Sequence, residues 1–124
     1  MSTNEIQTPH VVWDRAGVFN RVDNDRDLLH EILGMFKEDF PSTLAALKSA
    51  VQSADLKTSS AFSHKLKGML SNLGGVAAAA AASRLESLAS AKDAKSLADA
   101  LAALERESQD FIHELDAYLA EVHD

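Results

Sequence analysis

Residues 97–122 read LADALAALERESQDFIHELDAYLAEV. Leu97, Leu101, Leu104, Ser108, Phe111, Leu115, Tyr118 and Val122 follow one another in alternating steps of four and three. On a helix of 3.6 residues per turn that spacing makes one continuous seam, interrupted only at Ser108. A helix with so long a seam cannot bury it alone, so other helices must lie against it. The stretch therefore decides the class of the fold, and the rest of the chain has to supply the partners.

It does so in short order. Residues 76–90 form an alanine-rich helix with Ala77, Ala81, Leu85 and Leu88 on one side, small enough for a neighbouring helix to approach closely. A helix over about 57–73 precedes it and is stopped by Gly74 and Gly75, because glycine alone enters the left-handed C-cap conformation without strain. SADLK, residues 53–57, reads as a loop with Asp55 as a cap. Upstream, residues 25–39 place Leu28, Leu29, Ile32, Leu33 and Phe36 at helical spacing. Pro41 marks a boundary or kink, after which Leu44, Leu47 and Val51 share a face. Asp14 caps a short covering helix that docks through Val18, Phe19 and Val22. The expectation is an all-α protein: an antiparallel four-helix bundle with an additional short N-terminal helix, a loose tail over residues 1–9, and a single bundle domain over 10–124.

Composition narrows the function. The chain has 124 residues, enough for one domain with a real core. Its net charge of -7 disfavours a broad nucleic-acid surface, since phosphates would be repelled over much of it. Cysteine is absent, which removes disulfides, thiol catalysis and thiolate metal sites. No stretch is apolar and long enough to span a bilayer, and MSTNEIQTPH lacks the basic and apolar segments of a secretory signal. These features point to a cytoplasmic protein without a membrane partner.

One segment has an unexplained chemistry. In AFSHKLKGMLSNLGG, residues 61–75, Phe62, Leu66, Met69, Leu70 and Leu73 fall on one third of the helical wheel and form the expected core face. His64 falls almost opposite, with Ser60, Lys67, Gly68 and Ser71. Lys67 at i+3 and Gly68 at i+4 neighbour the ring on the surface. A glycine there costs about 1 kcal/mol of helix propensity relative to alanine. Two readings stand at this point: ordinary surface residues beside a glycine that permits close helix packing, or an accessible nucleophile with a cation at hand. The second suits temporary storage of a phosphoryl group, because a neutral imidazole attacks phosphorus at physiological pH.

The run SHKLKGMLSNLGG, followed by RLESL, closely resembles the signature of histidine-containing phosphotransfer (HPt) domains. The likeness extends from WDRAGVFNRVDNDRDLLHEIL through FKEDFPSTLAALKSAV to the last helix. By that resemblance His64 is the phospho-accepting histidine, Lys67 the lysine beside the phosphoryl group and Gly68 the small residue that clears space. Leu66, Leu73 and Leu85 match core positions, Gly74 the helix-ending glycine, and Glu86 an acidic position expected to be structural. Two residues depart from the commonest pattern. Ser63 replaces an alanine and is expected to leave the surface accessible, and Met69 stands where a small residue is usual and is expected to alter packing.

The resemblance implies a phosphoryl carrier in a multistep two-component phosphorelay, exchanging reversibly with aspartates of receiver domains on response regulators or on a hybrid sensor kinase. It implies no intrinsic cofactor, with magnesium belonging to the receiver. No GxxxxGK loop or kinase block occurs, so no ATP-dependent activity of its own is expected. Ser60 and Ser71 join His64, Lys67 and Gly68 in the expected docking surface, on a monomer. The methionine start suggests a stand-alone carrier, with a domain cut from a hybrid kinase the alternative. The rival functions are a non-phosphorylated adaptor of the same fold and a metal-binding bundle. The second suffers from an outward histidine and mainly apolar core faces. His10, His30, His113 and His123 read as scattered surface residues, since His30–Glu31 and His113–Glu114 lack the second histidine of HExxH.

Overall fold

The structure, a computed structural model, describes residues 10–121. The expected tail over residues 1–9, and Val122 and His123, lie outside the described residues. Five helices follow one another: α1 (Arg15–Arg21), α2 (Arg26–Gln52), α3 (Leu56–Asn72), α4 (Val76–Ser90) and α5 (Ala94–Glu121). Among the described residues there is no strand. Contacts run from α2 to α3, α3 to α4, α4 to α5 and α5 back to α2, so the four long helices close a ring around a shared core.

The first three starts have a local cause. Asp14, Asp25 and Asp55 are the N-caps of α1, α2 and α3, their side chains accepting from the backbone N–H of Gly17, Leu28 and Thr58. The glycine pair acts as expected at the end of α3. Gly74 takes φ +77°, and the N–H groups of Gly74 and Gly75 return to the carbonyls of Ser71 and Leu70. Gly74 does not tolerate a side chain, since a Cβ there would lie 2.8 Å from the Asp14 carbonyl oxygen, and one on Gly75 would press on the Phe111 ring at 3.1 Å.

The core is apolar and continuous. Leu29, Leu33 and Leu47 of α2, Leu66 and Leu70 of α3, Leu85 of α4 and the α5 seam from Leu97 to Tyr118 are buried together. Phe36 stacks against Phe40 at 4.9 Å and meets Phe111 edge-on at 5.6 Å.

Four expectations are corrected. First, Pro41 neither ends nor divides a helix, for α2 runs unbroken through it. An interior proline costs about 3 kcal/mol. The flanking Phe36, Phe40 and Leu47 are buried on one stripe, each worth about 1.5–3 kcal/mol, and together they outweigh it. Pro41 itself is exposed, which leaves the Lys37 carbonyl to solvent. Second, the buried stripe of α4 is Ala78, Ala82, Leu85 and Ala89, whereas Ala77, Ala81 and Leu88 are only half-buried. Third, Leu28 is exposed. Fourth, α3 buries Ser59 and Ser63 with Leu66, Leu70 and Leu73, while Phe62 and Met69 sit half-buried at its edge. Ser63 is thus a core residue. Its hydroxyl donates to the Ser59 carbonyl at 2.7 Å, and its small size suits the most extensive helix pair, α3 with α4.

The segment before α2 fastens the end of α3. The Trp13 indole N–H donates to the Leu73 carbonyl at 2.9 Å, the Asp14 N–H to Gly74 at 2.8 Å, and the Arg21 guanidinium to Asn72 at 3.0 Å. The last carbonyls of α3, orphaned by the end of the helix, therefore have partners.

Candidate functional site

His64 occupies the middle of α3, opposite the buried stripe, and its side chain is 69% exposed. This is the placement the wheel demands of a residue two positions before Leu66 and six before Leu70. Lys67 stands beside it, and Gly68 follows on the same exposed side. A Cβ added to Gly68 would meet nothing within 4 Å. Close helix packing therefore does not explain the glycine.

The residue that completes the site comes from α4. Glu86 reaches across with one carboxylate oxygen 3.0 Å from His64 Nδ1 and the other 3.1 Å from Lys67 Nζ. Partial burial pushes the Glu86 carboxyl up, but the hydrogen bond and charge of Lys67, followed by those of His64, hold it below its ordinary value. Glu86 is thus an anion at neutral pH and acts as acceptor in both bonds. In the neutral ring, a hydrogen on Nδ1 donating to this carboxylate leaves the lone pair on Nε2. The sequence-based expectation of a structural Glu86 did not include this contact. The LE pair was visible in the sequence, but not which way α4 turns it.

The other candidate docking residues are divided. Ser60 is half-buried, its hydroxyl 3.3 Å from that of Ser90, and it lines the same open groove of about 650 Å³ as His64 and Glu86. Ser71 is exposed but lies at the far end of α3 beside Asp14 and Arg21, in a different depression. On the α2 side a second groove, of about 340 Å³, is lined by Ile32, Met35, Phe36 and Met69 among others. Met69, packed against the core, therefore also shapes this surface.

Among the described residues, no three His, Asp or Glu side chains gather as metal ligands, and no helix is long and apolar enough to cross a membrane. His10 pairs with Glu107, and His30 packs edge-on against Tyr118, so neither joins the His64 site.

No curated protein and no solved structure matches the chain. A family model does: that of the Hpt domain, over residues 31–124. Such domains take part in histidine phosphotransfer in two-component signalling, as carriers rather than kinases. With well over half its length matched, and His64, Lys67, Gly68 and Glu86 all inside the match, the chain belongs to the Hpt domain family.

Proposed function

We propose that the protein is a phosphorelay carrier that takes a phosphoryl group onto His64 from a receiver-domain aspartate and passes it to the aspartate of another receiver. The observation that carries this reading is the Glu86 carboxylate shared between His64 Nδ1 and Lys67 Nζ beside an unobstructed Gly68.

The chemistry balances with these groups alone. The Nε2 lone pair attacks phosphorus as the acyl-phosphate O–P bond breaks, and the aspartate leaves as a carboxylate. No proton moves: the product imidazole keeps its hydrogen on Nδ1 and becomes cationic, and Glu86 offsets that charge. Lys67 compensates the phosphoryl oxygens. In the reverse step an aspartate oxygen attacks phosphorus and the N–P bond breaks. Phosphoryl transfer of this kind depends on in-line positioning and charge neutralisation, and Gly68 provides the clearance for the first. Magnesium is supplied by the receiver, and ATP plays no part.

The four long helices are read as an antiparallel bundle over residues 10–124, acting as a monomer in the cytoplasm with receivers or a hybrid sensor kinase as partners. Loops of three residues between consecutive long helices support this arrangement.

The test is transfer from a panel of radiolabelled phosphorylated receivers to the protein and to His64→Gln over short times. Acid-labile, base-stable label on the unaltered protein alone is the expected result. Absence of label on both, with receivers that demonstrably bind, sinks the carrier function and leaves an adaptor role.

A further inference from the structure

Charge is unevenly distributed over the molecule. α3 carries Lys57, Lys65 and Lys67 and no carboxylate, in a chain whose net charge is -7. α5, on another side of the ring, carries seven carboxylates against two basic side chains. The groove beside His64 collects part of the positive charge, with Lys57 at the start of α3, Lys92 just past the end of α4, and the hydroxyls of Ser60 and Ser90 between them. Its one carboxylate, Glu86, is engaged by His64 and Lys67. Asp55, two residues before Lys57, and Asp93, next to Lys92, are turned to helix starts. Asp55 accepts from the Thr58 N–H and hydroxyl, and Asp93 from those of Ser96. Among the described residues, neither Lys57 nor Lys92 makes an ion pair.

Lys92 is held in place at a conformational cost. It sits at φ +61° immediately after the α4 cap, with its N–H bonded to the Ala89 carbonyl and that of Asp93 to Leu88. Glycine is the usual occupant of such a position, and any other residue is strained there. The backbone thus presents a lysine at a fixed point where a glycine would fold more easily.

The groove is too long for these lysines to serve the phosphoryl group itself. Lys57 precedes His64 by seven residues, about 10 Å along the helix axis, and helical side chains lean toward the N-terminus, away from the histidine. We propose that the groove receives an acidic segment of the partner receiver, with carboxylates about 10 Å from the aspartate that exchanges the phosphoryl group. It thereby governs how fast the receiver docks. This rests on the carrier function proposed above.

The probe is the receiver from the panel that exchanges fastest with the protein, followed by stopped-flow association at several ionic strengths. Lys57→Glu combined with Lys92→Glu is expected to lower the association rate at least tenfold at low salt and to flatten its salt dependence. Hexaglutamate peptide is expected to slow association of the unaltered protein and not of the double variant. Lys92→Gly separates docking from folding: it raises the melting temperature and slows association about threefold. Ala54→Gly, at the matching left-handed position after α2, raises the melting temperature alone. Phosphoramidate, a small phosphoryl donor, labels His64 equally in every form. An unchanged rate and salt slope in the double variant, with His64 still labelled by phosphoramidate, overturns the groove and spares the carrier. If neither phosphoramidate nor any receiver labels His64 in the unaltered protein, both fall.

Discussion

Glu86 serves two side chains with one carboxylate, so its removal is felt at both. Glu86→Gln is expected to weaken the preference for a proton on Nδ1, visible as a change in tautomer populations in the nitrogen spectrum of the His64 ring, and to slow phosphoryl uptake. The variant also has a pH signature. Because the folded-state pKa of Glu86 lies below its value of about 4.5 in the unfolded chain, its ionised form adds stability above that value and loses it as pH falls through the folded pKa. The stability gap between the native protein and Glu86→Gln, measured by denaturant unfolding, should therefore be full at neutral pH and close under acid conditions. Gly68 gives the opposite pairing of effects. Gly68→Ala should raise stability by about 1 kcal/mol, since the position has open space and gains helix propensity. Gly68→Leu should remain folded while transfer to His64 slows at least tenfold. His64, Lys67 and Gly68 were legible in the sequence because i, i+3 and i+4 share a face of one helix whatever else the chain does. Glu86, 22 residues away, was not, because its reach depends on how α4 rotates against α3.

That rotation is where sequence reading of the elements lost precision. The existence of all five helices was visible from caps, glycines and periodicity, but α4 is a run of alanines whose hydropathy is nearly the same at every phase, so its buried stripe had to come from packing. In α3 the serines misled: Ser59 and Ser63 count as polar in a pattern, yet both are fully buried, and Ser63 satisfies its hydroxyl on the Ser59 carbonyl. Pro41 misled in the other direction, since a local rule was outvoted by the aromatic stripe around it. Two substitutions test these accounts. Pro41→Ala should leave the fold intact and raise its stability by up to about 3 kcal/mol, because the proline is exposed and its cost is local. Ser108 interrupts the α5 seam, buried with a hydroxyl that has no protein partner. Ser108→Ala should stabilise by about 1 kcal/mol, read as a shift in the urea midpoint without a change in slope.

For the molecule as a whole, the short covering helix expected from Asp14, Val18 and Phe19 does more than cover. Arg15 lies 4.5 Å over the Tyr118 ring, Trp13 and Phe19 pack edge-on against the same ring, and this segment caps the helix that bears the histidine. The family match begins at residue 31, after that segment has ended. A chain begun at Glu31 would lose the Trp13, Asp14 and Arg21 donors together with the N-cap of α2. Its expected behaviour is a lower melting temperature and faster hydrogen exchange in the last turn of α3 than in its middle. The recognisable pattern thus stops short of the Trp13, Asp14 and Arg21 donors that brace the end of the helix bearing the histidine.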